Sequence, residues 1–151
     1  GVSVFKRTAL ESLGGFFTDL GMKGGKMAYG EETNLQIRMR KTGLTIGFDP
    51  DLVVEHLVDQ GKYNLQWFLK SAYANGKDSW AIFELVPTWS IVLTKSVSVP
   101  YELFVNLVRN TPKLRQHNYF IQNWCIDTVA PVLNIIGSLV SAIKLLLNRH
   151  V

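Results

Sequence analysis

The segment Tyr29-Gly30-Glu31-Glu32-Thr33-Asn34-Leu35-Gln36-Ile37-Arg38 decides how this 151-residue chain is read. Gly30 precedes a polar first turn in which Glu31 and Glu32 meet unpaired backbone amides and the positive end of a helix dipole. Leu35 and Met39 fall four apart, Arg38, Arg40 and Lys41 fill the last turn, and Gly43 supplies a left-handed cap. These signals predict one helix between Gly30 and Gly43.

Upstream, residues 8 to 16 predict a short helix closed by Gly14 and Gly15, with Leu10 and Leu13 on its inner side. Residues 17 to 29, rich in Gly, Lys and Met without a clean period, predict a loop. Downstream, residues 44 to 48 predict a strand, Asp49-Pro50 a turn, and residues 52 to 54 a second strand leading into His56. Strands beside helices make the expected class α/β. Residues 60 to 84 carry Tyr63, Trp67, Leu69, Tyr73 and Trp80 around charged positions, which predicts an amphipathic helix interrupted near Asn75-Gly76.

After Pro87 the character changes. Residues 85 to 109 are apolar with scattered charges and are broken by Pro87 and Pro100; residues 110 to 119 form a basic linker. Residues 128 to 147 contain one charge, Lys144, and are long enough to span a hydrocarbon core of ~30 Å as a helix. Asn134, Ser138, Ser141 and Lys144, with Pro131 near the start, favour an interfacial or partly inserted helix over a true span or a buried core helix. Two regions are therefore expected, 1–84 and 85–151.

Composition narrows the class. At 47% hydrophobic and 11% aromatic the chain is no disordered tail, and its start at Gly1 suggests a piece of a longer protein. The net charge of +4 is unevenly placed: residues 1 to 84 hold ten charges of each sign, and the excess lies in Lys95, Arg109, Lys113, Arg115, Lys144 and Arg149 against Glu102 and Asp127. Such asymmetry points to an anionic partner surface. Sparse cations among long apolar runs fit lipid headgroups and not nucleic acid. The single cysteine, Cys125, permits no internal disulfide, favours a reducing compartment and reads as a packed thiol.

Glu31 and Glu32 are the first candidates for chemistry. A carboxylate kept ionised by a helix start can accept a proton from a hydroxyl nucleophile. Consecutive residues diverge by about 100 degrees around a helix, so one is read as base and the other as a positioning group. His56 ends an apolar run, where α/β folds place ligands, yet one imidazole makes no metal site by itself. Its remaining metal ligands are expected from outside this chain.

Taken in order, Gly14-Gly15-Phe16, Gly30-Glu31-Glu32-Thr33-Asn34-Leu35 with Arg38, Gly43, Phe48-Asp49-Pro50 and Val54-Glu55-His56 resemble the C-terminal half of the catalytic domain of family 2 glycosyltransferases. Residues 1 to 7 are similar to the strand before the acceptor-side helix, and the likeness covers about residues 1 to 80. It implies a partial GT-A (Rossmann-like) fold and inverting transfer of a sugar from a nucleotide-diphosphate donor to a glycan or lipid-linked acceptor. It also implies a divalent cation, Mn or Mg, on the diphosphate, with Glu32 matching the usual base, Glu31 the supporting carboxylate and His56 the closing histidine. Lys62, six residues after His56, is placed to reach the diphosphate as a point charge.

The chain departs from the family pattern in three ways. Glu32 stands where Asp is common, Asn34 replaces a frequent acid, and no nucleotide-binding half precedes the motif, so the isolated chain is expected to have little or no transferase activity. Asp49-Pro50-Asp51 has the letters of an Asp-x-Asp metal motif but reads as a turn. Tyr63 and Trp67 are expected to pack and not to stack on sugar. The expected location is the cytoplasmic face of the membrane. The competing readings are a noncatalytic basic amphipathic module that binds membrane or a partner, and a metal hydrolase, which the lack of paired histidines at helical spacing disfavours.

Overall fold

A computed structural model describes residues 3–22 and 24–148. Gly1 and Val2 of the strand-like start, and Arg149 and His150 of the basic end, lie outside the described residues. Five α-helices follow one another: α1 (Arg7–Ser12), α2 (Glu31–Lys41), α3 (Leu65–Ile82), α4 (Trp89–Asn110) and α5 (Ile121–Leu147). Short 3-10 turns at Gln60–Lys62 and Thr111–Arg115 precede α3 and follow α4.

The expected α/β class is wrong for this chain. Helices make up 64% of the described residues and no strand occurs among them, so a Rossmann-like GT-A unit is not present there. Residues 44 to 48 and 52 to 54 are extended or turn-like and pair with nothing. A strand exists only when a neighbour takes up its N–H and C=O groups. Apolar character alone made the backbone extended; it supplied no ladder. The same holds for residues 3 to 6, and the turn at Asp49-Pro50 forms with Asp51 N donating to Asp49 Oδ1 at 3.0 Å.

α2 follows its local signals. Leu35 is fully buried and Met39 nearly so, in a small core with Ala9 of α1 and the flanking Phe5, Leu10, Leu13 and Ile46. Gly43 is left-handed at φ +79°, and α1 is shorter than predicted, since Gly14 and Gly15 turn the chain in the same conformation. Gly30 is left-handed too, at φ +94°, and a Cβ there would stand 2.1 Å from Ile82 Cγ1. Gly30→Ala therefore meets both a strained backbone and α3. It is expected to lower stability by about 2–3 kcal/mol, read as a drop in thermal midpoint.

The second core joins α3, α4 and α5 around Trp80, Val92, Leu139, Ala142 and Leu146. α4 and α5 form an antiparallel hairpin, with Val92 beside the end of α5 and Asn110 hydrogen-bonded to Thr128 near its start. α3 lies along the second half of α5, held by Trp80 Nε1 donating to Ser138 O at 2.8 Å and Asn134 Nδ2 donating to Ala72 O at 3.3 Å. Asn64 caps α3 by accepting from Trp67 N, and Thr88 caps α4 by accepting from Ile91 N.

Two of the three predicted breaks do not occur: α3 runs unbroken through Asn75-Gly76 and α4 through Pro100, whereas Pro87 does fall between α3 and α4, and α5 runs through Pro131 as well. Packing against neighbouring helices outweighs the local cost of these residues. Gly76 is where the two backbones touch, for a Cβ on it would fall 1.8 Å from Asn134 O. Glycine in mid-helix here serves close approach.

Both hairpin helices are long and apolar enough to cross a membrane, over Trp89–Arg115 and Ile121–Leu147. The expected segment 128–147 thus begins seven residues earlier, at Ile121. On α4, Leu93, Val97, Tyr101, Phe104 and Val108 form one outward stripe, each at least 60% exposed.

Candidate functional site

α2 brings the acidic pair to its first turn, as its dipole favours. Glu31 is half-buried with its carboxylate against Gly21, whose added Cβ would sit 2.9 Å from Glu31 Cδ. Glu32 is exposed. The two side chains thus diverge, one packed against the loop and one free to meet an incoming group.

Beneath them lies a polar relay that the sequence did not reveal. Arg38 donates through one terminal nitrogen to Leu13 O and through the other to Gly15 O, each at 2.6 Å, and through Nε to Asn34 Oδ1 at 2.9 Å. Its guanidinium also sits 4.2 Å from the centre of the Phe17 ring. Asn34, fully buried, turns its amide to the end of α3 and donates to Ala81 O at 3.3 Å and Ile82 O at 3.1 Å. Both carbonyls lie in the last turn of α3, where intrahelical partners run out, and Ala81 O also accepts from Glu84 N.

An amide at position 34 suits these partners where an acid would not. A carboxylate has nothing to donate, whereas Asn34 donates hydrogen bonds to two carbonyls and accepts one from Arg38. One signal was available in the sequence: Asn34 and Arg38 are four apart, so they share a helix face. Nothing local revealed that this face is buried.

Tyr29 adds a second tie, with its N donating to Asp78 Oδ2 at 3.0 Å and its hydroxyl 2.7 Å from Ser71 Oγ. At the other end of α2, Lys41 donates to Glu84, which follows α3 in a left-handed conformation at φ 52°. That hydrogen bond holds the Glu84 carboxyl below its ordinary value of 4.5. The contact therefore stabilises fully above pH 4.5 and is lost as pH falls through the lowered value.

The other predicted site residues stand apart. His56 is exposed in the unpaired extended run, and Lys62 is half-buried at the end of the 3-10 turn before α3. No hydrogen bond or ion pair among the described residues links either to Glu31 or Glu32. A cavity of about 1020 Å³ beside α2 is lined by Phe5, Gln36, Met39, Ile46 and Phe48 among others, and by neither acid. Trp67 packs edge-on to Phe68 at 5.3 Å, and Cys125 is a half-buried thiol on α5.

No protein-family model, curated protein or solved structure matches this chain.

Among the described residues no grouping of three His, Cys, Asp or Glu side chains is placed to hold a cation. His56 by itself does not fit one.

Proposed function

We propose that the chain is the acceptor-side, membrane-associated part of a glycosyltransferase that moves a sugar from a nucleotide-diphosphate donor to a hydroxyl of a glycan or lipid-linked acceptor. The observation that carries this reading is the Arg38 relay, which ties the Gly14-Gly15-Phe16 loop, the Glu31-Glu32 helix and the end of α3 into one unit. Separated members of the motif set are thereby held together, as residues that share a task would be.

In this reading Glu32, exposed at the start of α2, takes the acceptor hydroxyl proton while that oxygen attacks the anomeric carbon. The glycosidic bond forms as the bond to the diphosphate breaks, and the diphosphate leaves with the electron pair. Attack from the face opposite the leaving group inverts the anomeric centre. Glu31, packed on Gly21, is the supporting carboxylate, and Lys62 and His56 approach the donor diphosphate only when the rest of the protein supplies it. The apolar hairpin and its basic connection, Arg109, Lys113 and Arg115, hold the enzyme on an anionic cytoplasmic membrane face.

Glu32→Gln in the full-length protein is expected to lower transfer at least about 100-fold, the loss typical of a removed general base, while flotation with anionic vesicles is unchanged. Unchanged turnover would remove Glu32 from the mechanism. The noncatalytic membrane module shares the apolar stripe as its support, and absence of transfer in the unsubstituted full-length protein would favour it.

A further inference from the structure

A cavity of about 600 Å³ lies between α3, α4 and α5. Four charged side chains line it: Glu102 and Arg109 from α4, Lys113 from the 3-10 turn that follows, and Asp127 from α5. Although both signs face one hollow, none of the four forms an ion pair among the described residues.

Three of them rest on neutral groups instead. Asn106 Nδ2 donates to Glu102 Oε1 at 3.0 Å, Lys113 Nζ donates to Asn110 Oδ1 at 2.8 Å, and the Tyr119 hydroxyl donates to Asp127 Oδ2 at 2.9 Å. Asn106 and Asn110 are almost wholly buried, while Arg109 is exposed. α4 thus carries an apolar outward stripe, while its buried face is Val92, Asn106 and Asn110, with Glu102 and Arg109 flanking the cavity.

Two of the four, Arg109 and Asp127, are exposed and screened by water, and groups of both signs that face one hollow without pairing leave room there for something that carries both signs. We propose that this cavity binds the zwitterionic headgroup of a phospholipid with a primary ammonium, its phosphate toward Arg109 and Lys113 and its ammonium toward Glu102 and Asp127. Two acids and two bases sum to zero. An anionic headgroup would leave both carboxylates facing its phosphate with no partner. A quaternary ammonium has no N–H to give a carboxylate and is held by aromatic faces, whereas the lining residues include no aromatic side chain. The phosphate is matched by the guanidinium and ammonium donors. The inference rests on the membrane part of the function proposed above and is independent of its transferase part.

The test uses the full-length protein floated on vesicles of phosphatidylcholine alone, with phosphatidylethanolamine and with phosphatidylglycerol, then extracted so that retained lipid is counted by mass spectrometry. Phosphatidylethanolamine is expected to be retained about tenfold over phosphatidylcholine, the effect of one charge-assisted hydrogen bond. Glu102→Gln is expected to reduce that preference to parity, and Arg109→Gln to lower retention of both lipids without changing their ratio, each with an unchanged thermal midpoint, and Arg109→Lys to keep retention. Equal retention in the unsubstituted protein overturns the headgroup site, as does preferential retention of anionic phosphatidylglycerol or a preference untouched by Glu102→Gln. Displacement by soluble phosphoethanolamine would assign the cavity to a soluble zwitterion and overturn the lipid source. Failure to float on any of these vesicles, the anionic ones included, would sink the membrane reading, and this inference with it, while leaving the transfer readout of the Glu32 test intact.

Discussion

Gly76→Val is expected to separate α3 from α5 and to lower stability by about 4 kcal/mol, an overpacking cost at the upper end of its range plus one lost buried hydrogen bond. The nearest atoms to the new Cβ are backbone, Asn134 O at 1.8 Å, its carbonyl carbon at 2.6 Å and its Cα at 2.8 Å. A side chain can rotate away from a clash, but a helix backbone must move as a body. Gly137 forms the other half of the contact, because a Cβ there would fall 2.2 Å from Tyr73 O.

Relief therefore requires the two helices to part, which stretches the hydrogen bonds from Trp80 to Ser138 O and from Asn134 to Ala72 O. For a chain of this size the loss corresponds to roughly 10 °C in thermal midpoint, read by circular dichroism of the full-length protein in detergent. Gly137→Val should behave alike, and the pair together should cost less than the sum, since either one already opens the same contact. A midpoint within about 2 °C of the unsubstituted protein would show that the helices do not meet at these glycines.

Arg38→Met is expected to cost about 3–4 kcal/mol and to release the Gly14-Gly15-Phe16 loop from α2. Methionine keeps the apolar stem and removes the fork, leaving Leu13 O, Gly15 O and Asn34 Oδ1 without their donors. Hydrogen bonds from a charged donor contribute about 1.5–3 kcal/mol each, and partial entry of water at this half-buried site offsets some of the loss. Arg38→Lys should recover only a fraction, because an ammonium is a point donor and does not span two carbonyls and an amide at once. Amide hydrogen exchange is the decisive measurement: protection should fall across residues 13 to 17 and at the start of α2. Unchanged protection there would remove Arg38 as the tie between the motif's parts.

α2 was legible from residues 29 to 43 because each of its signals acts within a turn of the chain. A left-handed glycine, two acids at the start, apolar positions four apart and basic residues at the end all agree, and the structure places the helix at Glu31–Lys41 with Leu35 and Met39 buried. The extended run from 44 to 58 shows the opposite case. Its apolar residues were read as strands, and they stay unpaired because a ladder depends on a neighbour that local sequence does not contain.

Gly76 was misread for a related reason. In isolation Asn75-Gly76 is a weak point in a helix; against α5 it is the place where only a residue without a side chain fits. The acidic pair could be named as candidates from position alone. Its base, the relay through Asn34 and Arg38, required knowing that the end of α3 arrives beside α2.

By itself the sequence determined where α2 begins and ends, the unequal placement of charge and the apolar character of the last third of the chain, since caps, dipoles and hydropathy depend on near neighbours. Tertiary structure alone decided that no sheet forms, that α3 seats on α5 through two glycines, and that Glu102, Arg109, Lys113 and Asp127 surround one cavity. Pairing, close approach and burial of polar groups join residues tens of positions apart, and no local pattern along the chain carries that distance.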